Sequence, residues 1–164
     1  MNSDAREASK VSLYLFLKFL HVLAAIVAVG TNATYGVLQA RAHREPEHLR
    51  HVHESVRALD RNVANPAYAV LLVTGLLMVW LGPLSTTTPW LLSSLVLFLL
   101  TAALGLAVLT PLTRRQSEAL ERHGPESAEY RRLRKQINRM SGVAALIVLV
   151  ITYLMVAKPP LWGR

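Results

Sequence analysis

The chain has 164 residues, of which 52% are hydrophobic and none is cysteine, and its 18 Lys and Arg outnumber 10 Asp and Glu to give a net charge of +8. The lack of cysteine excludes disulfides, thiolate metal sites and cysteine nucleophiles. Long uncharged runs alternate with basic connections, which excludes a water-soluble domain, and the positive balance reads as the loop bias of a membrane protein rather than as a nucleic-acid surface.

Residues 1–10 mix Asp4 and Glu7 with Arg6 and Lys10, and the apolar run behind them outlasts the core of a signal peptide, so no cleaved leader is expected. Four apolar runs follow, at 11–40, 63–81, 90–112 and 141–157. Each approaches or exceeds the roughly 20 helical residues that cross a hydrocarbon core of about 30 Å. Helix is the expected form, since backbone polar groups in lipid must be satisfied within their own segment and these runs lack the alternation of barrel strands. The first run is about 45 Å long as a helix, so its N-terminal part is expected to project or tilt. Within it Lys18, His21, Ala25, Ala28, Asn32 and Tyr35 follow steps of three and four and share one face. That face is small in the middle and polar at both ends, as a helix-packing seam should be.

The connection after the first run carries Arg41, Arg44, Arg50, Arg57 and Arg61. After a break at Glu45-Pro46, the spacing of Leu49, Val52, Val56 and Leu59 predicts an amphipathic helix that enters the second span. His48, His51 and His53 suggest a metal cluster, but on a helix His53 points away from the other two, so a solvated face is the expected reading. The short connection 82–89 has no basic residue; Trp80 and Trp90 flank it as interfacial anchors. The third connection carries Arg114, Arg115, Arg122, Arg131, Arg132, Arg134, Lys135 and Arg139. After Gly124-Pro125, the steps of Tyr130, Leu133, Ile137 and Met140 repeat those of the first connection, a weak sign of internal duplication. The positive-inside rule places both basic connections in the cytoplasm and both termini outside.

The expected architecture is an all-α, integral membrane four-helix bundle forming one domain over residues 1–164. Its spans are placed at about 14–40, 63–82, 90–112 and 140–158, with cytoplasmic hairpins at 41–62 and 113–139. No Asp or Glu falls within a span, which disfavours a proton-driven transporter. The intramembrane candidates are therefore Lys18 and His21, with His21 expected one turn inside a snorkelling Lys18. Met78 in the second span and Met155 in the fourth are expected to share a layer with His21. A histidine with two thioethers suits copper(I). Asn32, Thr74, Thr101 and Thr152 are expected to make interhelical hydrogen bonds.

Leu17-Lys18-Phe19-Leu20-His21-Val22 in the first span and Val156-Ala157-Lys158-Pro159 closing the last resemble the bacterial predicted integral membrane proteins of domain-of-unknown-function family 2269. More distantly the chain resembles HemJ-type protoporphyrinogen oxidases and the CopD membrane domain, which share a Lys-x-x-His in the first helix. The residues that carry this likeness are Lys18, His21, Asn138, Lys158 and Pro159. The resemblance implies a bacterial inner-membrane protein with b-type haem held by His21, and Lys18, Asn32 and Lys158 in the cofactor environment. HemJ-type proteins have a further functional Lys in an inner helix, whereas 63–81 and 90–112 contain neither Lys nor His. The enzymatic assignment therefore does not transfer, and whether the protein is an enzyme stays open. Three readings follow: a haem-binding redox protein, a copper-handling protein, and a non-catalytic scaffold or accessory subunit in which Lys18 and His21 only fix helix packing. The expected partners are the lipid bilayer and a homo-oligomer or larger membrane complex, with no nucleic acid.

Overall fold

The computed structural model describes residues 2–42, 46–82 and 88–161, with side chains from residue 7 and, in the second segment, from residue 47. Glu45 and the side chain of Pro46 at the predicted break, and most of the connection 82–89, lie outside the described residues, as do the side chain of Arg6 and all of Arg44 and Arg164. Among the described residues there is no strand. Helix α1 runs Asn2–Ala42, longer than the apolar run predicts because its polar N-terminal segment continues the same helix. A short 3-10 turn, Pro46–His48, leads into α2, Leu49–Leu59, and α3, Asn65–Leu81. Helix α4 covers Pro89–Leu104, α5 covers Thr110–His123 and α6 covers Ala128–Ala157. Four helical stretches are long and apolar enough to cross a membrane: Glu7–Ala42, Leu49–Leu81, Pro89–His123 and Ala128–Ala157.

Two of these stretches are continuous only because a π-helical turn joins their halves. Asp60–Ala64 links α2 to α3, and Gly105–Leu109 links α4 to α5. Each π-turn ends immediately before an X-Pro pair, Asn65-Pro66 and Thr110-Pro111. Proline lacks the N–H that an α-helix needs and its ring collides with the carbonyl four residues back. Inserting one residue per turn moves that carbonyl aside, so the helix passes through the proline without ending.

The chain divides into two units, Met1–Ser85 and Thr86–Arg164. In the first, α1 packs along α2 and α3. The contact surface is built from small residues, with Ala24, Ala28, Ala64 and Ala67 all buried, which lets the two backbones approach closely. The apolar stripe expected on α2 is present: Leu49 and Val56 are buried and Val52 and Leu59 are half-buried.

In the second unit, α6 packs along both α4 and α5, burying Leu112, Ala119, Tyr130, Ile137 and Leu154. The turn between α5 and α6 uses Gly124 at φ 76, a left-handed position that glycine takes without strain. Ser127 caps α6 by accepting from the Tyr130 N–H at 3.2 Å. The wide faces of Leu, Val and Ile left exposed on α1, α3, α4 and α6 are those a bilayer covers.

Candidate functional site

The first unit carries its polar chemistry on the seam between α1 and α3. Two contacts fix the register of that seam. The Tyr14 ring lies against Gly82, and the His21 ring lies against Gly75, where an added Cβ would sit 3.2 Å from His21 Cε1. Seven residues forward on α1 match seven residues back on α3, two turns of each helix, so the pair is antiparallel and in step.

His21 is half-buried on this seam, and its Nδ1 is 3.0 Å from the Thr74 hydroxyl. Thr74 has a single hydroxyl hydrogen, and that hydrogen goes to its own helix at the Val70 carbonyl, 2.6 Å away. The hydroxyl therefore accepts from Nδ1–H, which sets the tautomer and leaves the lone pair on Nε2. The Leu71 carbonyl also interacts with the ring. Gly75 supplies the flat place on which the imidazole rests. Ala24 and Leu17, one turn to either side on α1, are buried and exclude polar groups from its flanks.

The packed face of α1 differs by one residue from the face predicted. Leu17, Ala24 and Ala28 are buried and Tyr35 is half-buried, whereas Lys18 and Asn32 are exposed and Ala25 is half-buried. The face thus runs through His21 and Tyr35 as expected, but with Leu17 and Ala24 in place of Lys18 and Ala25. Both sets obey helical spacing, and the choice falls to the set with the larger apolar residue at its end. Asn32 still reaches across from the margin and donates to the Tyr68 hydroxyl, and to its own Ala28 carbonyl at 2.8 Å.

Met78 is half-buried three residues beyond Gly75 on α3. It stands about 4.5 Å further along the axis than His21, level with Lys18 rather than with the histidine. Met155 is half-buried on α6, in the second unit. Among the described residues no three His, Asp or Glu side chains group as metal ligands. The trio His48, His51 and His53 is dispersed: His48 and His51 are exposed and His48 faces Glu47 at 3.8 Å, while His53 is buried on the side of Leu49 and Val56. His53 thus departs from the solvated face expected.

Of the four predicted interhelical hydrogen-bond partners, Thr74 and Asn32 act as expected. Thr101 and Thr152 instead bond the carbonyls of Leu97 and Val148 on their own helices, at 2.8 and 2.9 Å, the local alternative open to any threonine in a helix. In the second unit Lys158 is exposed at the end of α6, in the left-handed conformation at φ 46, and its Nζ lies 5.6 Å from the centre of the Trp90 ring. Trp90 is buried and Trp80 is exposed, so only Trp80 presents itself as an open anchor. Asn138 is exposed on α6.

A second polar group was not legible from spacing. Where α1 passes the first π-turn, the Asp60 carboxyl lies beside the Tyr35 hydroxyl and the Asn65 side chain, with Tyr68 near enough to feel its charge. The Tyr35 hydroxyl is buried without full hydrogen-bond geometry. Asp60 is half-buried here, although it lies outside the apolar run, because the π-turn carries it onto the side of α1.

A family model described as predicted integral membrane protein, DUF2269, matches residues 15–159. The chain belongs to this family. No curated protein and no solved structure shows significant similarity to it. Nearly all of the membrane-crossing sequence of this DUF2269 protein lies within the family match, including Lys18, His21, Thr74, Gly75 and Lys158.

Proposed function

We propose that this DUF2269 protein is a haem-b-binding, redox-linked protein of the bacterial inner membrane, in which His21 would hold the haem. The observation that carries the reading is the Nδ1–H···Oγ1 bond from His21 to Thr74. A ligating histidine commonly donates its other ring nitrogen to a fixed acceptor, which orients the ring and raises its basicity. Thr74 supplies that acceptor, Nε2 keeps its lone pair, and the surrounding residues are apolar or small, so the chain's own groups fit a neutral imidazole ligand in a dry site. Bound haem would supply one-electron chemistry whose potential the axial ligand and burial tune. The chain's part is to hold and orient His21, to exclude water with Leu17 and Ala24, and to present cationic Lys18 for a propionate group. Asn32 is a further polar residue of the first span.

Both basic hairpins face the cytoplasm and both termini face outward, as the positive-inside rule requires. The spans hold a single histidine, so a second protein ligand would come from a methionine or from a second copy of the chain, which is the reason to expect a homo-oligomer or a larger membrane complex.

The copper reading through His21, Met78 and Met155 draws less support, because Met78 is offset from His21 by about 4.5 Å along the helix axis. The non-catalytic reading has an observation in its favour: the His21–Thr74 bond also pins α1 to α3. The absorption spectrum of detergent-purified protein separates these readings. A Soret band that vanishes in His21→Ala and persists with altered redox potential in Thr74→Val supports haem. A colourless protein that retains copper after dialysis supports copper. A colourless, metal-free protein whose His21→Ala variant is only less stable refutes both and leaves the scaffold.

A further inference from the structure

One exposed face of α6 changes character without turning away from its surroundings. Arg132, Lys135 and Arg139 follow steps of three and four, and Val143, Leu146 and Val150 continue the same face with steps of four, three and four. All six are exposed. None of the three cations has an ion pair among the described residues, whereas neighbouring Arg131 pairs with Glu126 at 3.7 Å and Arg114 pairs with Glu118 at 3.3 Å. Between Arg139 and Leu146, Gly142 has no atom within 4 Å of where a Cβ would stand, so the stripe is notched where charge gives way to hydrocarbon.

We propose that this stripe binds an anionic phospholipid, with the phosphate held by Lys135 and Arg139, Arg132 reaching down from above, and an acyl chain lying along Val143, Leu146 and Val150. The depth matches. Arg139 lies about 6 Å along the axis from Val143, and Lys135 another 6 Å beyond. The polar layer on each side of a bilayer is about 5–8 Å deep, so Arg139 sits inside it and the flexible stem of Lys135 reaches it. Uncompensated cations just outside a span attract negative lipid, and each contributes on the order of a fivefold preference. A zwitterionic headgroup satisfies the same phosphate contacts but adds its own cation beside three others, so the stripe selects against it.

The test uses full-length protein in mixed micelles or nanodiscs with equal phosphatidylglycerol and phosphatidylcholine, and native mass spectrometry to count retained lipids. The wild type is expected to retain phosphatidylglycerol over phosphatidylcholine by at least about fivefold, with the ratio falling as salt rises. The triple variant Arg132→Gln, Lys135→Gln, Arg139→Gln is expected to bring the ratio near one. Arg114→Gln with Arg131→Gln, which removes two ion-paired arginines of the same unit, is expected to leave it unchanged. Gly142→Leu fills the notch without altering charge and is expected to lower the total retained lipid. An even ratio in the wild type, a preference that survives the triple variant, or one lost equally in the ion-paired control overturns the proposal. So does an acidic protein co-purifying through these three residues in place of lipid.

Discussion

Thr74→Val keeps the shape of the residue opposite His21 and removes its hydroxyl, leaving Nδ1–H against a methyl group. The hydroxyl's bonds to the Val70 and Leu71 carbonyls are redundant with the helix ladder, so their loss is minor. An interhelical hydrogen bond in a membrane is worth about 0.6 kcal/mol on average and up to about 1.7. An unsatisfied buried donor costs about 1–3 kcal/mol, but the Leu71 carbonyl remains beside the ring and tempers that figure. The expected coupling between His21 and Thr74 is therefore about 1 kcal/mol, measured as a double-mutant cycle of Thr74→Val and His21→Ala by reversible unfolding in mixed micelles. Gly75 supplies an internal check. With the imidazole present, Gly75→Ala brings a methyl within 3.2 Å of Cε1, and the ring must give by a few tenths of an ångström, which offsets the helix preference for Ala. In the His21→Ala background that contact is gone and the helix preference for Ala over Gly, about 1 kcal/mol, makes the same substitution stabilising. A coupling below about 0.3 kcal/mol, the scatter expected of independent sites, or a Gly75→Ala effect no less favourable with His21 present than in the His21→Ala background refutes the description of this seam.

Gly82→Ala is expected to destabilise by about 1–3 kcal/mol, because its Cβ would lie 2.6 Å from the Met78 carbonyl oxygen and 2.8 Å from Tyr14 Cε2. Tyr14→Ala should rescue it only in part, since the carbonyl cannot move; full rescue, read by thermal melting, would refute this. Lys158→Gly should be near neutral, because relief of the left-handed backbone, about 1 kcal/mol, offsets loss of the Trp90 contact, about 0.5–1 kcal/mol. Lys158→Ile loses the contact and keeps the strain, and should melt measurably lower. As the chain has no native cysteine, single cysteines report topology cleanly. Thr88→Cys should react with an impermeant maleimide in intact cells and Glu121→Cys only after lysis, and the reverse pattern would invert the proposed orientation.

The four spans were legible because burial in hydrocarbon demands uncharged length, and α2 was legible because Leu49, Val52, Val56 and Leu59 keep helical step. What escaped depended on neighbours. The apolar runs already passed through Pro66 and Pro111, but the π-turns that let the helices do so gave no sequence signal. The choice between Lys18 and Leu17 for the packed face turned on a rotation of one residue, which periodicity alone cannot resolve when both sets are spaced alike. Thr74 was picked out as a polar residue in an apolar run, but its partner emerged only from the α1–α3 register. Asp60 gave no signal at all, since its role exists only where Tyr35 passes it.

The two π-turns also set rules for insertions and deletions. Each holds one residue more than an ordinary turn would, so deleting one amino acid from 60–64 should leave Leu49 and Val56 facing α1 but bring a backbone carbonyl back against the Pro66 ring. The same holds for 105–109, where a lost codon would keep Leu112 and Gln116 on their face of the helix but return a carbonyl to the ring of Pro111.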